Sequence, residues 1–202
     1  MPITCTARLL VIAAMALGMS CCQASEDKVW KIEEDWEMVI LQPDPQSNSP
    51  QVSFTTSPST EVDDVYFQLQ MNHSDSAGGG IHVAAVLDDK IVDESQSDIR
   101  SALSIDGDHV SWTTVMAVID DRICFAVKDG YGQDWGNFGG PEYVVRMQRR
   151  DILDLSKYRP INSLDSVDIN FGANRISSSK MLKVRLYYTS GNVVELLVAE
   201  TP

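Results

Sequence analysis

A chain of 202 residues with 44% hydrophobic side chains has the material for one sizeable core. Its formal charge of −13 at pH 7 sets it against polyanions, so nucleic acid is not an expected partner. Beyond the first two dozen residues no stretch is long and apolar enough to suggest a membrane-spanning helix.

Residues 1–24 read as a secretory signal peptide. Arg8 supplies the positive start, Leu9 to Leu17 the apolar stretch, and Cys22-Gln23-Ala24 a small-residue exit before Ser25-Glu26-Asp27. The apolar stretch is too short for a stable bilayer span. An alternative makes Cys21 or Cys22 a lipidated terminus, although Gly18-Met19-Ser20-Cys21 lacks the branched residue usual in a bacterial lipoprotein signal. The expected location is secreted or periplasmic, with residues 25–202 forming a single domain. Cys124 is then the one cysteine left of four, so sheet packing must supply the stability. Its setting, Arg122-Ile-Cys-Phe-Ala-Val, reads as a buried, inert thiol.

From there on the apolar period is two. In Trp30 to Ile40 the positions Trp30, Ile32, Trp36, Met38 and Ile40 alternate with Lys31, Glu33, Asp35 and Glu37, as in a half-buried strand, and Glu34 breaks the apolar side. The pattern predicts further strands at Val52 to Thr56, Val65 to Asn72, Ile81 to Leu87, Lys90 to Glu94, Ile99 to Ile105 and Val110 to Ile119. Others follow at Arg122 to Lys128, Tyr143 to Gln148, Val167 to Phe171, Leu182 to Thr189 and Val193 to Ala199. About a dozen strands in one domain make a two-sheet antiparallel β-sandwich.

The connections agree. Asp88-Asp89 and Asp120-Asp121 sit between apolar runs and read as hairpin turns, because aspartate tolerates the left-handed conformation. Pro43-Asp44-Pro45 and Pro50 make residues 42–51 an extended connection. Asp151 to Tyr158 is expected to form one helical turn before Pro160.

The order Asp35-Trp36-Glu37, Pro43-Asp44-Pro45, Pro50-Gln51-Val52, Ser76-Ala77-Gly78-Gly79-Gly80, Trp135-Gly136-Asn137-Phe138-Gly139-Gly140 and Phe171-Gly172-Ala173-Asn174-Arg175 resembles a set of secreted all-β proteins common in planctomycete bacteria. That group is similar in turn to the concanavalin-like jelly-roll sandwiches, which include lectins and glucanases. The resemblance implies the fold and leaves function to the site.

Two segments carry the candidate chemistry. Glu33-x-Asp35-x-Glu37 puts three carboxylates on one strand face. Its spacing resembles the catalytic strand of laminarinase-like glucanases, a resemblance that would make Glu33 the nucleophile, Asp35 its support and Glu37 the acid/base. A retaining mechanism needs the two carboxyls about 5 to 5.5 Å apart, whereas four strand residues span about 13 Å, so both side chains would have to lean together. Glu34 departs from the apolar residue usual there, and a solvated acidic face on an edge or outer strand explains the same letters. The second segment is the glycine-rich loop Asp129 to Pro141. Tyr131, Trp135 and Phe138 offer flat apolar faces beside Gln133, Asp134 and Asn137, the combination that stacks on a sugar ring and satisfies its hydroxyls. The competing reading folds those aromatics back to plug the end of the sandwich.

His73, His82 and His109 lack paired-ligand spacing, so no zinc site is expected. Asp106-Gly107-Asp108, Asp63-Asp64 and Asp120-Asp121 read as solvated turns more than as calcium ligands, and no cofactor is expected. The sequence therefore points to an exported, non-enzymatic sandwich that binds a polysaccharide or a cell-envelope component. A glucanase-like hydrolase and a purely structural envelope protein stand as alternatives.

Overall fold

The computed structural model describes residues 27–60, 62, 64–73, 79–99 and 101–198. The signal-peptide and lipid-anchor readings fall outside them. The chain runs through β1 (Val29–Ile40), β2 (Gln51–Thr56), β3 (Val65–Met71), β4 (Ile81–Leu87), β5 (Lys90–Gln96), β6 (His109–Ile119), β7 (Arg122–Gly132), β8 (Gly136–Phe138), β9 (Val144–Gln148), α1 (Pro160–Asp165), β10 (Asp168–Phe171), β11 (Ile176–Tyr188) and β12 (Val193–Leu197). Among the described residues these strands form the expected two-sheet antiparallel sandwich. The larger sheet is ordered β12-β11-β1-β6-β7-β8, with β9 also on β7, and the smaller one β10-β2-β3-β4-β5.

Alternation does the work. Ile32, Trp36, Met38 and Ile40 of β1 turn inward, as do Phe67 and Leu69 of β3 and Phe125 and Val127 of β7. Trp36 stacks on Trp112 of the neighbouring strand at 6.2 Å, and Phe54 of the opposite sheet meets the two indoles edge-on at 5.2 and 4.7 Å. Phe67 and Phe125 stack across the sandwich at 5.3 Å. Such pairs add about 0.5–1.5 kcal/mol each beyond the area they bury.

One carboxylate lies inside this core. Glu34, 1% exposed, accepts hydrogen bonds from Trp36 Nε1 at 3.0 Å, Thr56 Oγ1 at 3.2 Å, Thr114 Oγ1 at 2.7 Å, Tyr158 OH at 2.8 Å and Ser163 Oγ at 2.6 Å. Burying a carboxylate is costly unless donors replace its water. Here one indole and four hydroxyls do so, tying both sheets to the segment that carries α1.

Three local differences from the sequence expectation have physical causes. The strand expected from Ile99 to Ile105 is absent over the described residues 101–105, because side chains satisfy their backbone: Leu103 N donates to Asn72 Oδ1, and Ser104 N and Ile105 N donate to Asp134 Oδ2. The helical turn lies after Pro160, not before it. Arg159 is extended, as a residue preceding proline prefers, and Pro160 occupies the first helical position, where its missing N–H costs nothing. Finally, β11 begins at Ile176, well before the predicted Leu182, because its polar first half is held in register against Trp36 to Ile40 of β1. The two hairpins stand as expected, with Asp88, Asp89 and Asp120 at positive φ.

Candidate functional site

Glu33, Asp35 and Glu37 do share the outer face of β1, but β1 is an interior strand flanked by β11 and β6. Glu33 is only 4% exposed. Its Oε1 accepts from Lys31 Nζ at 3.1 Å and Lys128 Nζ at 3.0 Å, and its Oε2 from Arg185 Nε at 3.0 Å and Tyr187 OH at 2.8 Å. Burial alone would raise its pKa, and these donors outweigh it, holding the carboxyl at about 2. Asp35 receives both Arg185 Nη groups at 2.7 Å and Thr113 Oγ1 at 2.8 Å. Glu37 lies beside His109, with Oε2 3.8 Å from Nδ1. The carboxylate that a hydrolase would use as nucleophile is thus the anchor of an ion-pair network. Glu33 and Asp35 are neutralised by lysine and arginine, where the sequence suggested a solvated acidic face.

The glycine-rich loop divides its residues between surface and core. Trp135 and Phe138 are 8% and 6% exposed and meet edge-on at 5.9 Å. Trp135 Nε1 donates to Ser101 O at 2.9 Å. Gly130 lets Phe138 in, since a Cβ there would come within 2.3 Å of the ring. Asp108, buried beneath the loop, accepts from Gln133 N at 3.0 Å, and Asp134 is committed to the backbone and hydroxyl of Ser104 at 2.6 and 2.5 Å. Trp135 and Phe138 therefore turn inward, contrary to their reading as stacking faces. Tyr131, half exposed, remains at the surface with Gln133 and Asn137, which is its partner across β7 and β8.

Asp108 and Asp106 serve the fold, Asp106 accepting Gln42 N at 2.7 Å. Among the described residues no group of three or more His, Cys, Asp or Glu is placed to hold a metal ion. A depression of about 430 Å³ between the β2–β3 connection and residues 149–157 contains Arg149, whose guanidinium is already clamped by Asp151 at 2.8 and 2.6 Å.

The outer face of the smaller sheet holds a different surface. A groove of about 480 Å³ runs over β3, β4 and β5, and a second depression of about 200 Å³ continues it toward β10, with Gln70 and His73 lining both. Its floor is a hydrogen-bonded relay. Gln70 Nε2 donates to Gln68 Oε1 at 3.1 Å, Gln70 Oε1 faces His82 Nδ1 at 3.0 Å, and His82 Nε2 faces Glu94 Oε2 at 3.1 Å. His73 stacks on His82 at 4.8 Å. Antiparallel register makes the relay, placing Gln70 opposite His82 and His82 opposite Gln96. The small Ala84 lies between Gln68 and Glu94 in the next row, which keeps the floor low. Sequence reading missed this surface because the histidines were weighed as metal ligands. The polar alternation Gln68, Gln70 against Phe67, Leu69, Met71 was its visible signal.

No family model and no curated protein matches the chain. Among solved structures it is similar to a Congerin II double mutant, at 13% identity and a TM-score of 0.39, over 80% of this chain and 94% of that one. It is also similar to a Congerin II single mutant, at 12% identity and 0.39, over 77% and 94%. An ancestral congerin follows at 12% identity and a TM-score of 0.34, again over 77% and 94%.

Proposed function

We propose that this chain is an exported, non-enzymatic β-sandwich that binds carbohydrate of the cell envelope or its surroundings through the groove on the smaller sheet. The observation that carries the reading is the relay Gln68–Gln70–His82–Glu94 on the floor of that groove, its amides and carboxylate reaching the surface around a buried His82. The amides of Gln68 and Gln70 and the carboxylate of Glu94 offer donors and acceptors side by side, which suits sugar hydroxyls, and their bonds to one another and to His82 fix their directions before a ligand arrives. Exposed Ile91 at the rim supplies an apolar contact for the C–H edge of a ring.

The test is retention of purified protein on immobilised polysaccharides, comparing Gln70→Ala and His82→Ala with Tyr131→Ala, each verified as folded by circular dichroism. The groove variants should lose retention at least tenfold while Tyr131→Ala retains it. Loss with Tyr131→Ala alone would move the site to the glycine-rich loop. No retention of the parent protein on any glycan would remove the carbohydrate reading.

A further inference from the structure

Resting on that carbohydrate reading, we infer that the groove takes an uncharged, extended glycan chain lying across the strands, and not a terminal mono- or disaccharide or an acidic polysaccharide.

The length follows from register. Asp168 of β10 lies opposite Ser53 of β2, Ser53 opposite Gln70 of β3, Gln70 opposite His82 of β4, and His82 opposite Gln96 of β5. One row of outward positions therefore crosses the whole sheet at right angles to its strands, and where Ser53 is buried the accessible floor passes to β10 by way of Gln51 and Asn170. Asn170 closes the β10 end of the row, donating from Nδ2 to Ser53 Oγ at 2.8 Å. With neighbouring strands about 4.8 Å apart, the row is about 19 Å from first strand to last. A sugar unit in an extended chain advances by roughly one such spacing, so about four units fit. The two depressions share Gln70 and His73, so the floor is continuous where they join. Among the described residues β5 and β10 are the edge strands of this sheet, and no further described strand of it blocks either end. An internal stretch of a polymer can lie there with both ends running on.

The charge follows from the lining. Among the described residues that line the two depressions there is no lysine or arginine, and Glu94 is the one acidic side chain. A sulfate or uronate on the ligand would meet the Glu94 carboxylate and no lysine or arginine among the described lining residues, on a chain of net charge −13. The side-chain amides of Gln68 and Gln70, each with hydrogen-bonding capacity beyond the relay, answer hydroxyls instead.

Calorimetric titration of the full mature chain with cello-, laminari-, manno- and xylo-oligosaccharides of increasing length, with carboxymethylcellulose and heparin as acidic arms, decides the matter. Affinity for the neutral series that binds should rise at least tenfold from disaccharide to tetrasaccharide and then level off. Asn170→Ala and Gln96→Ala should weaken the tetrasaccharide several-fold and leave the disaccharide nearly unchanged. A disaccharide that binds as tightly as longer chains, or an acidic polymer that binds as well as its neutral counterpart, would overturn the inference and leave the carbohydrate reading standing. Absence of binding to every glycan would overturn both.

Discussion

The phenol of Tyr158 donates to the buried carboxylate of Glu34 across 2.8 Å, joining residues 124 positions apart in the chain. Glu34 is the point where β1, both sheets and the α1 segment meet, so removing it leaves several buried donors without an acceptor at once. Glu34→Ala should cost about 3 kcal/mol or more. Glu34→Gln, which keeps the volume and one acceptor oxygen but turns an NH₂ toward hydroxyls, should cost about 1–3 kcal/mol. Urea unfolding followed by tryptophan fluorescence measures both. A neutral Glu34→Ala would mean that the donors have other partners.

Tyr158 should not behave as an ordinary phenol. Burial first, and the negative charge of Glu34 second, push its ionisation far above the usual tyrosine range. The folded state therefore keeps a proton that the unfolded chain releases near pH 10, and the resulting stability is lost as pH climbs above that value. Ultraviolet titration should show this tyrosine ionising together with alkaline unfolding. A reversible phenolate in the native protein would contradict the burial.

Glu33 predicts the opposite end of the pH scale. Its folded pKa of about 2 lies below the ordinary glutamate value, so its contribution is complete above about pH 4.5 and is lost as pH falls toward 2. Arg185→Met removes donors from both Glu33 and Asp35, and should move acid unfolding to higher pH. Coincident acid transitions for variant and parent would show that the network contributes nothing.

The inward-facing loop aromatics predict a loss of stability. Trp135→Ala removes a buried indole from the end of the sandwich and should cost about 3–5 kcal/mol. Gly130→Ala drives a methyl into the Phe138 ring and should cost about 1–3 kcal/mol. Thermal melts of both, beside Tyr131→Ala as the exposed control, separate a plug from a ligand platform. Melting temperatures equal to that of the parent would restore Trp135 as a surface contact.

Cys124 sits half-buried opposite Arg146 of β9. Burial raises its thiol, and the guanidinium groups of Arg146 and Arg122 pull the other way without overcoming it. Since the thiolate is the reactive form, an aromatic disulfide reagent should label the native protein at neutral pH several-fold more slowly than the denatured one. Equal rates would show an open, ordinary thiol.

Most strands could be read from the chain because a two-residue alternation needs no knowledge of the partner strand. The first half of β11 could not: Ser177, Ser178 and Ser179 carry no such pattern, and their pairing with β1 is imposed from the other side of the sheet. Glu34 was visible as the break in an apolar stripe, yet its hydroxyl partners Thr56 and Ser163 lie 22 and 129 positions away. Trp135 illustrates a different limit. Its letters fit a sugar platform and a plug equally well, and the carbonyl of Ser101 and the buried Asp108 fix which way the loop turns. The groove was half legible, as the outward glutamines of β3. Its other half is contributed by His82 and Glu94, which only register brings alongside.

The position of β1 also governs the order in which the molecule can be assembled. Asp35 takes a hydrogen bond from Thr113, 78 positions later, and from Arg185, 150 positions later. A ribosome delivers this central strand before the other described strands and its second neighbour, β11, ahead of β12 alone, so the apolar stripe from Ile32 to Ile40 waits through nearly the whole of synthesis for its flank to close. Contacts so distant in sequence make folding slow and leave hydrophobic surface open to chance partners meanwhile. Lys31 and the carboxylates Glu33, Asp35 and Glu37 alternating along the same strand keep that waiting segment hydrated, a service rendered before the native ion pairs exist.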